Sequence, residues 1–219
     1  MNPLRIRVSV ITVVRGELMA KIHSKSAGGG KKKDREEFDF YETPAYATED
    51  LFKYETFEGE VWECAAGHGA MSKVIEKYNP CFSSDIRTND EVHGVKGFNF
   101  LNCTSILMKD DRHPNVVDNI ITNPPYTFTV EFIETAKKVA TKKIAMLLRL
   151  PFIESQGRYE LFQDKEFPLA KIYVYSERVN MTKNGAGGAQ IAFSWYVWEK
   201  EWKGEPVLRW IKPKSFLGG

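Results

Sequence analysis

A chain of 219 residues with 42% hydrophobic content is long enough for one substantial core and lies near the upper end for a single domain. Its formal net charge of +2 gives no global basic field of the kind that announces a nucleic-acid binder, so any such surface must be a local patch. Cys64, Cys81 and Cys103 are widely spaced and form no C-x-x-C pair, which argues against a disulfide frame or a zinc site and reads as reduced thiols in a cytosolic protein.

Leu4 to Val14 alternates aliphatic residues with Arg5, Arg7, Ser9 and Thr12, too short and too charged to span a membrane. Met19-Ala20-Lys21 makes a second plausible start, so residues 1–18 are expected to be translated upstream sequence rather than a stray strand or a targeting segment. Ser24 to Glu37 runs through Gly28-Gly29-Gly30 and Lys31-Lys32-Lys33 into Asp34-Arg35-Glu36-Glu37, a composition that buries no core. It reads as a flexible tether or as a basic arm for a phosphate backbone. The expected organisation is a poorly ordered extension over 1–37 and one folded domain over 38–219.

Past residue 38, short apolar runs alternate with amphipathic segments, the pattern of an α/β domain. Thr43 and Pro44 begin a helix, by hydroxyl capping and a pre-set φ. Glu60–Cys64 reads as a first strand, Met71–Tyr78 as a helix and Cys81–Ile86 as a second strand ending near Asp85. Val95–Leu101 reads as a third strand and Val116–Thr122 as a fourth. The spacing of Val130, Ile133, Ala136, Val139 and Ala140 predicts a helix over Thr127–Thr141, with Lys137 and Lys138 outside. Lys143–Leu150 is apolar enough for a central parallel strand. A short helix follows over Gly157–Asp164. Lys171–Glu177 and Gln190–Glu199 read as an antiparallel pair at the far edge, joined by the loop Asn180–Ala189. Trp195 and Trp198 are expected in the core. No segment is long enough for a separate target-recognition domain.

Between the first strand and the first helix lies Glu63-Cys64-Ala65-Ala66-Gly67-His68-Gly69-Ala70. Small residues and two glycines at such a turn let the backbone approach a ligand closely. Asp85 closes the next strand about 20 residues on, where an acid takes ribose hydroxyls. A nicotinamide dinucleotide would suit the same order, but Ser72 stands where its third glycine is expected. His68 has no partner in sequence that would make it a catalyst.

Asn123-Pro124-Pro125-Tyr126 follows the apolar run Val116–Thr122 directly. Two prolines fix φ and cannot donate, so the chain leaves the sheet extended with carbonyls able to accept from a ligand. The Asn123 amide adds an acceptor and Tyr126 a flat face for a planar group. The combination suits a planar exocyclic amine; a Pro-Pro turn with a packed tyrosine is the plain alternative.

Asn-Pro-Pro-Tyr at a strand end resembles the catalytic motif of S-adenosylmethionine-dependent amino methyltransferases, which modify adenine N6 or a protein glutamine amide. The resemblance runs from Phe38 to Glu199 and points to the N6-adenine DNA methyltransferase-like group. Leu148–Ser155 and Arg178–Met181 resemble segments of small enzymes of phage and prophage genomes. It implies a Rossmann-like class I fold, a seven-stranded mostly parallel sheet with the last strand antiparallel and helices on both faces. It implies S-adenosyl-L-methionine as cofactor. Tyr41, Thr43 and Pro44, a Tyr-x-Thr-Pro motif, would cover its methionine end. Glu63 would meet the ammonium, Ala65, Gly67 and Gly69 would form the turn, and Asp85 would take the ribose. Asn99 stands where related enzymes carry an acid for the adenine, and Asn123 also borders the cofactor. The catalytic set would be Asn123, Pro124, Pro125 and Tyr126. Tyr126, Arg149, Phe152 and Arg178 would meet substrate, although Arg149 and Arg178 read equally as surface ion pairs.

The resulting expectation is a cytoplasmic adenine N6-methyltransferase acting on nucleic acid, DNA before RNA, without a metal and without a membrane segment. A partner subunit or the Asn180 loop would supply sequence specificity. The alternatives are a protein glutamine methyltransferase, whose usual N-terminal helical domain residues 1–37 are too short and polar to form, and a non-catalytic cofactor-binding accessory subunit.

Overall fold

Residues rich in β-branched and aromatic side chains pair into one sheet in the computed structural model, which describes residues 42–103, 117–181 and 191–213. The strands are β1 Val61–Glu63, β2 Cys81–Ser83, β3 Val117–Thr122, β4 Ala140–Arg149, β5 Leu169–Tyr175, β6 Phe193–Glu199 and β7 Val207–Ile211. Their order is β2-β1-β3-β4-β6-β5-β7. β6 runs antiparallel to both β4 and β5, and every other pairing is parallel. The expected α/β sheet of seven strands with one reversed is present, but the reversed strand is the sixth, because β7 adds a parallel edge beside β5.

Among the described residues four α-helices flank the sheet: α1 Ala45–Tyr54, α2 Ser72–Ile75, α3 Thr129–Val139 and α4 Tyr159–Phe162. Side-chain alternation along β4 builds two cores. Ile144, Met146 and Leu148 join Trp62, Phe98, Phe100, Phe132 and Ile133 on one face. Ala145 and Leu147 join Leu51, Met71, Ile75, Ile121 and Trp195 on the other. Helix α3 buries Ile133, Ala136 and Val139 of the expected face, together with Phe132, while Val130 is only half-buried; each large buried side chain contributes about 1.5–3 kcal/mol. It passes straight into β4, since Ala140 is both helix C-cap and first strand residue. Trp195 and Trp198 are fully buried, as expected.

Three expectations are corrected. Val95–Leu101 is not a strand: Val95 makes one parallel bridge to Ser84, Gly97 turns the chain at φ 69°, and a 3-10 turn occupies Phe100–Asn102. Its apolar residues are there to bury Phe98 and Phe100 against Trp62. The helix of Met71–Tyr78 is regular only over Ser72–Ile75 and then loosens into turns that end at Asn79, before Pro80, which disfavours α geometry in the residue preceding it. Thr43 does not cap α1, whose N-cap is Pro44 without a side-chain bond; its hydroxyl is engaged elsewhere. The Asn180–Ala189 loop lies outside the described residues from position 182 to its end.

Candidate active site

Parallel pairing sets the carboxyl ends of β1, β2, β3 and β4 along one edge. Trp62 faces Ile120 in register, so Glu63 ends β1 one residue short of the level of Thr122, the last residue of β3. Thr122 donates its hydroxyl to Glu63 Oε1 at 2.6 Å, and the Ala65 N–H donates to the same oxygen at 3.1 Å. Glu63 is buried, and desolvation pushes its carboxyl up to about 7 despite these two bonds. A carboxyl so poised is restored to its charged form by any cation brought against it.

The loop after β1 needs two left-handed residues, and Gly67 and Gly69 supply them at φ 55° and 82°. A Cβ on Gly69 would sit 2.5 Å from the His93 ring. The loop is fastened from below: the Ala66 N–H donates to the Ser84 carbonyl and the Gly67 N–H to Asp85 Oδ2 at 2.7 Å. Asp85 also accepts from the Arg87 N–H and Nε at 2.8 and 3.0 Å. The acid expected for a ribose therefore also holds the glycine loop. His68 pairs with Glu91 at 3.1 Å at the surface. Asn99 accepts the Leu101 N–H on its side-chain carbonyl at 3.0 Å, so it caps its own 3-10 turn.

Asn123 follows Thr122 out of the sheet. Its Nδ2 donates to the Thr43 hydroxyl at 3.0 Å across 80 positions of sequence, which fixes the amide so that Oδ1 is the other end. That Oδ1 is buried and has no hydrogen-bond partner. The Pro125 carbonyl is taken by the Phe128 N–H; among the described residues no hydrogen bond to the Pro124 carbonyl is formed. Thr129 ties its hydroxyl to the Tyr126 carbonyl at 3.1 Å, closing the turn. The Tyr126 ring lies 6.0 Å from Phe193 and carries the Arg149 guanidinium 4.2 Å from its centroid.

Helix α1 covers this edge. Its Ala47 carbonyl accepts from Trp195 Nε1 and the Tyr175 hydroxyl, and its Tyr46 hydroxyl accepts the Asn180 N–H. Thr43, Glu63, Ala65, Gly67, Gly69, Asp85, Asn123 and Tyr126 are thus linked through hydrogen bonds and adjacent strand ends. Pro44 enters α1 directly after Thr43. Phe152 packs below with Arg158 over its ring at 4.6 Å. Arg178 is exposed on the segment after β5, and Tyr41 lies outside the described residues. Sequence reading missed Thr122 and Arg87. A lone hydroxyl closing an apolar strand before the motif was the available signal for Thr122; nothing local marked Arg87. Among the described residues no cluster of three or more His, Cys, Asp or Glu can hold a metal ion, and no helix is long and apolar enough to cross a membrane.

No family model and no curated protein matches the chain. Solved structures do. A modification subunit of a candidate type I restriction enzyme from Vibrio vulnificus YJ016 has a TM-score of 0.58 at 15% identity, over 95% of this chain and 53% of that one. A predicted O-methyltransferase from Agrobacterium tumefaciens has a TM-score of 0.55 at 13% identity, over 76% and 85%. A candidate class I S-adenosylmethionine-dependent methyltransferase from Listeria monocytogenes has a TM-score of 0.52 at 14% identity, over 77% and 63%. The chain is therefore similar in fold to Rossmann-like class I methyltransferases.

Proposed function

We propose that this chain is an S-adenosylmethionine-dependent N-methyltransferase whose acceptor is the exocyclic N6 amine of adenine in DNA. The observation that carries the reading is the buried, unpartnered Oδ1 of Asn123, held in one orientation by Thr43. A buried acceptor left without a donor is disfavoured, and an incoming amine supplies the donor. The Pro124 carbonyl beside it would take the second amine hydrogen.

The residues fit the cofactor on the same grounds. Glu63 is a sealed carboxyl with one oxygen on Thr122 and Ala65, suited to an ammonium. The Gly67–Gly69 turn leaves room for close backbone approach, and Asp85 stands behind it. When bound, S-adenosylmethionine would supply an electrophilic methyl group on a sulfonium. Asn123 and Pro124 act on the other reactant. An adenine amine is a poor nucleophile because its lone pair is delocalised into the ring. Accepting both of its hydrogens favours a tetrahedral nitrogen whose lone pair points at the methyl carbon. With the cofactor bound, the methyl group would pass to this nitrogen with sulfur as the leaving group, and the extra proton would depart from nitrogen to solvent while Asn123 and Pro124 hold the amine. A base within a duplex must be flipped out to reach Asn123, and Tyr126 offers it a stacking face.

The test is methyl transfer from labelled cofactor to unmethylated DNA, RNA and a protein extract in parallel, read by mass spectrometry. N6-methyladenine in DNA is expected. Asn123→Ala should lower transfer at least a thousandfold while cofactor binding stays nearly intact. Label in protein alone would move the acceptor to an amide, and undiminished activity in the variant would remove Asn123 from the mechanism.

A further inference from the structure

Arg149 ends β4 as Asn123–Tyr126 extends β3, and Thr122 pairs with Met146 in register. Arg149 and Tyr126 thus overhang the same edge, three and four residues beyond a matched pair. The Arg149 Nε is buried with no hydrogen-bond partner, and among the described residues no carboxylate lies within ion-pair distance of its guanidinium. Its interaction is with the face of Tyr126, 4.2 Å from the ring centroid. An arginine at a surface ion pair, the plain reading of its sequence, would have met an acid.

Two features conflict in this arrangement. The catalytic-motif tyrosine needs a bare face to stack a base, and a cation covers it. That cation has a buried donor and nothing to give it to, an unfavourable position for a guanidinium. Both are relieved by one movement. We infer, on the N-methyltransferase reading above, that Arg149 is a nucleotide-selecting residue. It rests on Tyr126 in the free protein and moves to a phosphate of the target nucleotide as the base takes its place on the ring. A guanidinium presents a planar fork of donors that matches phosphate oxygens, and a base carries its own phosphates a few ångströms from its stacking face.

The backbone around Arg149 is built to keep its root still while the side chain moves. Arg149 pairs with Phe193 in the sheet. Directly after it, the Arg158 guanidinium donates to the carbonyls of Phe152 at 2.8 Å and Glu154 at 2.8 Å, fastening the turn Leu150–Ile153. A neutral amide substrate on a protein has no group that would draw Arg149 away, so the residue discriminates between acceptor classes.

The experiment uses the full chain with S-adenosylhomocysteine present, and compares binding of adenosine with that of 2′-deoxyadenosine 3′,5′-bisphosphate. The wild type should prefer the bisphosphate. Arg149→Gln should weaken the bisphosphate about tenfold and leave adenosine unchanged or tighter, because the ring is then bare; Arg149→Lys should recover part of the loss. On a random-sequence 30-mer duplex, the slope of log affinity against log salt should fall by about one in Arg149→Gln. Equal weakening of both ligands, or an unchanged slope with full DNA methylation, would overturn the assignment of Arg149 alone. A wild type that labels protein and never nucleic acid would overturn the underlying reading instead.

Discussion

Glu63 shows how one buried group ties stability to pH. Its folded value of about 7 lies above the ordinary carboxylate range of about 4.3 because burial outweighs its bonds to Thr122 and Ala65. The native state therefore holds a proton that the unfolded chain releases. The stabilisation linked to Glu63 is complete below about pH 4.3 and is lost as pH rises to about 7, a change on the order of 3 kcal/mol. Glu63→Gln should consequently raise the melting temperature of the ligand-free protein at pH 8. On the proposed reading, cofactor binding would run the other way, since an ammonium needs the carboxylate. Affinity for S-adenosylhomocysteine, measured by calorimetry, should weaken roughly tenfold between pH 8 and pH 6 and be flat and weak in Glu63→Gln. A flat wild-type profile would show that Glu63 does not face the ligand's cation.

The loop between β1 and α2 is the element on which the proposed cofactor site depends. Its curvature comes from two left-handed glycines, and its position from Ser84 and Asp85 at the end of β2. Gly69→Ala combines a left-handed backbone strain of about 1–2 kcal/mol with a clash against His93. The loop should shift, and affinity for S-adenosylhomocysteine should drop at least tenfold with the sheet intact by circular dichroism. Unchanged affinity would mean that the loop does not approach the ligand. Val95–Leu101 teaches the opposite lesson about elements. Its aromatic content has the look of a strand, yet Gly97 and the Asn99 cap turn it, and its phenylalanines serve the core.

Across the molecule, anchoring and the proposed site occupy opposite ends of the sheet. Near the amino ends of β4 and β5, Glu55 accepts from Lys171 at 2.6 Å, Lys143 at 2.9 Å and the Tyr173 hydroxyl. The cluster joins the residue after α1 to two strands. Burial alone would push the Glu55 carboxyl up; the bonds from Lys171, Tyr173 and Lys143 hold it below the ordinary value. Its stabilising contribution is therefore present above the unfolded carboxylate value and is lost as pH falls through the depressed folded one. Glu55→Ala leaves Lys143 and Lys171 with only the more distant Glu199, at 3.6 and 3.8 Å, and should destabilise by about 1–3 kcal/mol in urea unfolding. Because the proposed site lies at the other end of the strands, affinity for S-adenosylhomocysteine in the folded fraction should stay within about twofold. A large loss of affinity at unchanged stability would contradict this separation.

By itself the sequence determined the α/β class, six of the seven strands, the amphipathic face of α3 and the positions of the Glu63 turn and the Asn-Pro-Pro-Tyr motif. Each of these follows from local chemistry: side-chain periodicity, glycine and proline geometry, and one carboxyl or amide at a strand end. Strand β7 was missed because Val207–Ile211 is a short edge strand whose Leu208, Arg209 and Trp210 are exposed and only Ile211 is buried, so no alternating pattern marks it. Only the tertiary structure decided the pairings that give the motif residues their orientation: Thr43 with Asn123, Gly67 with Asp85, Thr122 with Glu63 and Arg149 with Tyr126. Those partners lie 18 to 80 residues apart, or on neighbouring strands. Their meeting depends on sheet order and register, which no local pattern encodes.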